Sequence, residues 1–181
     1  MVAPEDCPSQ AEYITYFEPA IAVMQTEEAL ERVARELCDD SARKNIDYLE
    51  VRWAPRLHLT CHAGEAGDPS NVEDALALGV ERIAHGVIAA REPSIVERIR
   101  AEGIVLDVCP TANWRCKAVQ SIAEHPLPRL VRGGVRCTIS TDSRTVAGTT
   151  LSHEYGLMSA AGMTDEELRG CNATAYAAKF G

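Results

Sequence analysis

Residues 80–110, VERIAHGVIAAREPSIVERIRAEGIVLDVCP, decide the fold class. Two short apolar runs, 80–84 and 104–108, flank a segment that begins at Pro93 and ends before Gly103. Proline favours the first position of a helix and glycine the position just after its end, so this segment is predicted to be helical. A strand, a helix and a second strand in this order form a βαβ unit with parallel strands. The stretch therefore predicts a parallel sheet covered by helices.

The same alternation continues on both sides of this stretch. Thr26 precedes a segment with the helical period, and Thr164 and Glu167 have the spacing of a capping box. We predict strands at 46–52, 57–61, 80–84, 104–108 and 135–140, and helices after Thr26, at 71–79, at 93–103, at 119–131 and after Thr164. These elements make about five βα units in one domain spanning 1–181, with residues 1–24 as a lead-in without chemistry of its own.

The composition is that of a soluble domain with a small-molecule partner. The 181 residues include 18 basic and 27 acidic side chains, for a net charge of −9. Because the basic residues do not cluster, we expect neither nucleic acid nor a membrane surface as partner. No apolar run approaches the roughly 18 residues of a membrane span. The seven cysteines contain no C-x-x-C pair, so we interpret them as reduced, mostly buried thiols of a cytoplasmic protein.

Polar side chains follow four successive predicted strands, at the place where parallel α/β folds collect their reactive groups. The four strand ends read His62-Ala63-Gly64-Glu65, Ile83-Ala84-His85-Gly86, Val108-Cys109-Pro110-Thr111 and Ser140-Thr141-Asp142-Ser143. Taken singly, each has a structural interpretation as well. A histidine can be a hydrogen-bonded core residue instead of a metal ligand, and Asp142 can cap the following helix instead of binding a cation.

Taken together and in this order, the four strand ends resemble the adenosine deaminase family of zinc-dependent amidohydrolases. Segments 22–26 and 48–55 and the helix around Asn172 are similar to that family as well, so the resemblance covers nearly the whole chain. It implies a TIM (β/α)₈ barrel. It also implies hydrolytic deamination of adenosine or deoxyadenosine to inosine or deoxyinosine, with release of ammonia.

The resemblance also implies a role for each candidate residue. His62 would be a zinc ligand, and Asp142 a second ligand that accepts a proton from the attacking water. Glu65 would carry a proton to the purine ring, and His85 would orient the attacking hydroxide. Ser143 stands where many members have a second aspartate against the purine, which makes it a weak candidate for substrate binding. Zinc supplies hydroxide near neutral pH, and a ring proton makes C6 of the purine electrophilic.

The sequence departs from the family in its histidines. Members carry an H-x-H pair on the first barrel strand, whereas this sequence has no such pair. His58 lies four residues before His62, and four strand residues span about 13 Å, too far for both to bind one zinc. We interpret His125 and His153 as surface residues. Two of the four expected protein ligands of zinc are therefore absent.

A second departure lies at residues 56–59, where the segment similar to the second barrel strand runs directly into the one similar to the fifth. A full barrel needs about 250 residues, so we predict an incomplete barrel of about five units. Open sheet edges favour self-association. Two other functions stay open: an inactive or partner-completed barrel fragment, and a deaminase of adenine or another 6-aminopurine derivative.

Overall fold

The computed structural model describes residues 2–4, 7–44, 46 and 59–179. Four short strands and the helices between them build the second half of the chain. The strands are β1 (Thr60–Ala63), β2 (Arg82–His85), β3 (Val105–Val108) and β4 (Arg136–Ile139). The helices are α1 (Gln10–Thr15), α2 (Glu18–Val23), α3 (Glu27–Arg43), α4 (Ser70–Ala77), α5 (Pro93–Ala101), α6 (Pro110–Arg115), α7 (Leu127–Arg132), α8 (Arg144–Ala147), α9 (Leu151–Ala160) and α10 (Asp165–Ala177).

The four strands form one parallel sheet in chain order, β1-β2-β3-β4. Ala63 pairs with His85, Ala84 with Asp107, and Asp107 with Thr138, so the carboxyl ends of all four strands lie along one edge. The predicted parallel α/β fold is confirmed. Of the five predicted strands, the first in the chain, 46–52, lies outside the described residues except for Ile46. Most of the predicted junction at 56–59 lies outside them as well.

The core lies between the sheet and the helices that follow each strand. Ile83 of β2 and Leu106 of β3 are fully buried, in one apolar cluster with Val72 of α4 and Ile99 of α5. Burial of each such side chain stabilises the fold by about 1.5–3 kcal/mol. The apolar side chains of the strands and of the inner helix faces therefore form one core, which holds the strand ends at a common edge.

Helix caps follow the sequence closely. The Thr26 hydroxyl accepts the backbone N–H of Ala29 at the start of α3. Thr164 and Glu167 form a complete capping box at the start of α10. Both predicted helix starts are confirmed.

The helix predicted at 119–131 is wrong in its first half. Only Leu127–Arg132 is helical, and residues 117–126 run through turns. Pro126 and Pro128 explain the difference, because proline lacks an N–H and restricts the residue before it. A helix through this stretch can begin only at the prolines.

The first residues are part of the core instead of a lead-in. Ala3, Cys7 and Tyr13 are almost fully buried, and the Ala3 backbone N–H donates to Val146 at 2.9 Å. Their description as a mere lead-in is therefore wrong, whereas the absence of chemistry among residues 1–24 stays a prediction.

Helix α3 keeps its apolar stripe in contact with solvent. Leu30 and Leu37 are half-buried, and Val33 and Cys38 are exposed. The C-terminal end of α3 is held by Asp40, which binds Lys44 at 2.8 Å and Arg144 at 2.6 Å. The described part of the chain thus covers the apolar stripe of α3 only in part.

All seven cysteines are free, and five of them are buried. This confirms the interpretation of the cysteines as mostly buried thiols. Among the described residues, no helix combines the length and the apolar character that crossing a bilayer requires.

Candidate active site

Three side chains from two adjacent strand ends meet in one cluster. His62 lies on β1, Glu65 follows that strand, and His85 ends β2. His85 Nε2 is 3.2 Å from His62 Nδ1 and 3.6 Å from Glu65 Oε2. One ligand atom from each of the three lies within 4.8 Å of the others. The structure therefore brings together three of the four main candidate residues.

Two glycines allow β1 and β2 to approach this closely. Gly64 has φ +69°, and a Cβ atom built on it would lie 2.9 Å from Gly86 Cα. Gly86 has φ +68°, and its Cβ would lie 2.7 Å from Leu106 Cδ2. His85 itself has φ 70°, which is uncommon for a residue with a side chain. The cluster thus depends on backbone geometry that glycine makes accessible.

The Glu65 carboxyl is mostly shielded from solvent, with its side chain 19% exposed. Burial raises the pKa of Glu65 most, and the negative charge of Asp142 raises it further. The buried Cys116 thiol lies 3.7 Å from the Glu65 carbonyl oxygen, and burial followed by the charge of Glu65 raises the pKa of this thiol to about 12. A carboxyl whose pKa is raised in this way is suited to donate a proton.

Asp142 faces the same cavity as His62 and His85 but lies outside the 4.8 Å cluster of described residues. It follows β4 with φ 54°. The helix that comes next is capped by Ser143, whose hydroxyl accepts the Val146 backbone N–H at 3.4 Å. The alternative that Asp142 is the cap is therefore wrong. Ser143, the candidate for purine binding, therefore already uses its hydroxyl oxygen in a hydrogen bond within the chain.

A cavity of about 780 Å³ opens beside these residues. His62, His85 and Asp142 line it at the strand ends, and Arg82, Asp107 and Thr138 line it deeper along the strands. Thr138 donates to Asp107 at 2.9 Å, and Arg82 lies 3.7 Å from the same carboxylate. A volume of this size is ample for a small organic ligand.

The structure adds His125 to the site, which the sequence prediction placed on the surface. His125 is 4% exposed, and its Nε2 lies 3.4 Å from Oδ1 of the fully buried Asn113. Asn113 Nδ2 in turn lies 3.0 Å from His85 Nδ1. The prediction for His125 is wrong because α6 and α7 fold over it. His153 is exposed, as predicted.

The burial of His125 predicts a pH effect on stability. Burial lowers the pKa of His125 from 6.5 to about 4. The unfolded chain then binds this proton more readily than the folded one, so stability is full above pH 6.5 and falls as the pH drops towards 4. We expect His125 to account for about 2 kcal/mol of the loss between pH 7.5 and pH 5. Urea unfolding of the parent chain and of His125→Gln at both pH values measures it.

The exposed His153 provides the control for this measurement. His153→Gln should keep the full pH dependence of the parent chain, since its ring is solvated in both states. An equally steep pH dependence in His125→Gln would contradict the assignment.

The sequence as a whole matches one protein family. A family model described as adenosine deaminase matches residues 2–61 and 56–180. The chain belongs to the adenosine deaminase family. The two matched segments meet at residues 56–61, which coincides with the junction predicted at 56–59.

Two relatives document the family at the level of sequence. An adenosine deaminase from Shewanella halifaxensis (strain HAW-EB4) is 32% identical over 247 positions, which cover 87% of this chain and 75% of that protein. Because 247 exceeds the 181 residues of this chain by 66, at least that many aligned positions face a gap in it. An aminodeoxyfutalosine deaminase from Acidothermus cellulolyticus (strain ATCC 43068 / DSM 8971 / 11B) is 40% identical over 137 residues, 69% of this chain and 38% of that protein.

Two solved structures support the barrel fold. An adenine deaminase from Arthrobacter aurescens superposes with a TM-score of 0.66 at 24% identity, over 98% of this chain and 54% of that one. A zinc-bound amidohydrolase from Burkholderia ambifaria superposes with a TM-score of 0.62 at 27% identity, over 68% of this chain and 36% of that one. The chain thus spans about half or less of these structures, and the predicted incomplete barrel is confirmed.

Proposed function

We propose that this site deaminates a 6-aminopurine nucleoside by hydrolysis, converting adenosine or deoxyadenosine to inosine or deoxyinosine and releasing ammonia. One observation carries the proposal: His62, Glu65 and His85 converge at two parallel strand ends, within 4.8 Å, in a chain of the adenosine deaminase family. The neighbouring cavity of about 780 Å³ has room for a nucleoside.

The donor atoms of the site suit a zinc ion. His62 offers an imidazole nitrogen and Asp142 a carboxylate oxygen, both of which are ligand types that zinc takes, and both side chains line the same cavity. We assign His62 and Asp142 as zinc ligands. The H-x-H pair that would supply two more is missing from the sequence. When bound, zinc lowers the pKa of water towards about 7.

The side chains of this chain carry out the proton transfers and orient the water. Glu65, whose pKa is raised by burial, delivers a proton to a ring nitrogen and so makes C6 of the purine electrophilic. His85 orients the attacking water through Nε2, and Asp142 accepts a proton from it. The water oxygen bonds to C6, and Asp142 passes the proton that it accepted to the amino group, which leaves as ammonia when the C6–N bond breaks. The new C6 hydroxyl then returns a proton to Glu65, which leaves the C6 carbonyl of the product. The free, mostly buried cysteines favour a reducing cytoplasmic setting.

The choice among 6-aminopurines depends on groups around the base. The Ser143 hydroxyl oxygen already accepts the Val146 N–H at the start of α8. It therefore has less hydrogen-bonding capacity for the purine than the carboxylate of an aspartate would have. A relative at 40% identity is an aminodeoxyfutalosine deaminase, so substrates other than adenosine belong in the test. Adenosine, deoxyadenosine, adenine and adenosine 5′-monophosphate should therefore be compared by ammonia release. The proposal expects both nucleosides to have the highest kcat/KM, and a higher value for adenine or the monophosphate would reassign the substrate.

A second candidate function is that of a barrel fragment completed by self-association or by another chain. Val33 and other parts of the apolar stripe of α3 are exposed, and β1 and β4 are the outermost of the described strands. Unpaired edges and open apolar surface favour association. Size-exclusion chromatography with light scattering should then give dimers or larger species. A concentration-independent monomer with full activity would contradict this candidate.

A further inference from the structure

We propose that His125 and Asn113 are positioning residues that fix the orientation and the tautomer of His85 through hydrogen bonds running in one direction. The chain of contacts starts at the backbone of Leu127 and ends at the cluster of His62, Glu65 and His85. Its consequence for catalysis rests on the proposed function, whereas the contacts themselves can be tested without turnover.

The direction is set by a backbone group that can only donate. The Leu127 N–H donates to His125 Nδ1 at 3.1 Å. His125 Nδ1 is therefore an acceptor and carries no proton. Burial keeps the ring neutral near pH 7, because it lowers the pKa of His125 to about 4. The single ring proton of His125 is consequently on Nε2.

The next contact sets the side-chain amide of Asn113. His125 Nε2–H faces Asn113 Oδ1 at 3.4 Å, and the Asn113 side chain is fully buried. The oxygen and nitrogen of an amide are otherwise interchangeable by a flip. Here a flip would place an Asn113 N–H against the His125 Nε2–H, both on buried side chains, and an unsatisfied buried donor costs about 1–3 kcal/mol. The amide is therefore held with its nitrogen towards His85.

The last contact determines which ring nitrogen of His85 carries the proton. Asn113 Nδ2–H donates to His85 Nδ1 at 3.0 Å. His85 Nδ1 is thus an acceptor, and the proton of the neutral ring is on Nε2. That nitrogen points to His62 Nδ1 at 3.2 Å and to Glu65 Oε2 at 3.6 Å. His125 and Asn113 thus present a fixed donor at the atom that the proposed function uses.

Nitrogen NMR of the purified chain, labelled with ¹⁵N-histidine, tests this arrangement directly. At pH 7.5 both His125 and His85 should have a protonated Nε2 and an unprotonated Nδ1, which differ strongly in ¹⁵N shift. In His125→Leu, which removes the ring nitrogens, His85 should change to a mixture of tautomers. In His125→Gln, whose amide can accept from Leu127 and donate to Asn113, His85 should keep the parent signal.

A proton on Nδ1 of His125, or an unchanged His85 tautomer in His125→Leu, would overturn the proposal. Asn113→Asp offers a second route should His125→Leu not fold, because a carboxylate has no N–H to donate to His85. It should move the His85 proton to Nδ1, and an unmoved proton would again overturn the proposal.

Kinetics separate positioning from simple stabilisation. Loss of groups that orient a working residue typically costs about 10- to 100-fold. We expect kcat of His125→Leu to fall by that factor with KM within about threefold, and His125→Gln to restore most of it. Equal kcat in the two folded variants would contradict the catalytic consequence. If the parent chain itself deaminates no purine, the proposed function fails while the NMR result still decides on the hydrogen bonds.

Discussion

Glu65→Gln is expected to lower kcat for adenosine by about 10²- to 10⁴-fold, the usual contribution of a positioned acid or base. The amide has nearly the shape of the acid but has no proton to give to the purine ring. Glu65 follows β1 and lies 3.6 Å from His85, so it can reach the reacting centre. Zinc content and the free energy of unfolding should stay near those of the parent chain. Atomic absorption, ammonia release and urea unfolding measure the three quantities.

Glu73→Gln is the matched control, because Glu73 is an exposed residue of α4 and the chemical change is the same. It should leave kcat and zinc content unchanged. Should Glu65→Gln lose its zinc together with its activity, Glu65 would be a ligand and not the proton carrier. Retained activity would remove Glu65 from the chemistry altogether.

Gly64→Ala is expected to destabilise the fold by about 3 kcal/mol or more. Its backbone has φ +69°, where a Cβ is strained, and that Cβ would meet Val72 Cγ2 at 2.8 Å and Gly86 Cα at 2.9 Å. Backbone strain and overpacking each cost about 1–3 kcal/mol. The Gly86 backbone can yield only if β1 and β2 separate, which would also pull His62 away from His85. Urea unfolding gives the loss.

Gly79→Ala separates the strain from the collision. Gly79 has φ +74°, and nothing lies within 4 Å of its Cβ position. Its alanine variant should lose only about 1–2 kcal/mol. Similar losses at Gly64 and Gly79 would show that β1 and β2 do not need this close approach.

The sequence predicted the parts of the structure that depend on local patterns. The parallel strands around Ile83 and Leu106 follow from two apolar runs on either side of the helical segment that begins at Pro93 and ends before Gly103. The positions of His62 and His85 follow from the rule that parallel strands end at a common edge. Their spacing of 3.2 Å needed the structure, because it depends on Gly64 and Gly86 lying against each other.

The burial of two polar side chains, His125 and Tyr13, could not be predicted from local patterns. His125 precedes Pro126 in a stretch of turns, which usually lies on the surface. Its burial arises from contact with Asn113, twelve residues away, and no local period signals it. Tyr13 is distant in sequence from every strand end. Its side chain is almost fully buried, and burial, followed by the charge of Asp142, raises the pKa of its hydroxyl.

The most direct test of the proposed deamination follows adenosine turnover while zinc is removed and restored. The chain is freed of metal with a chelator, titrated with zinc, and assayed for inosine and ammonia at each zinc content. We expect no product from the metal-free chain, and equal amounts of inosine and ammonia at a rate that rises with bound zinc. A chain that binds one zinc and releases no ammonia from adenosine or deoxyadenosine would contradict it.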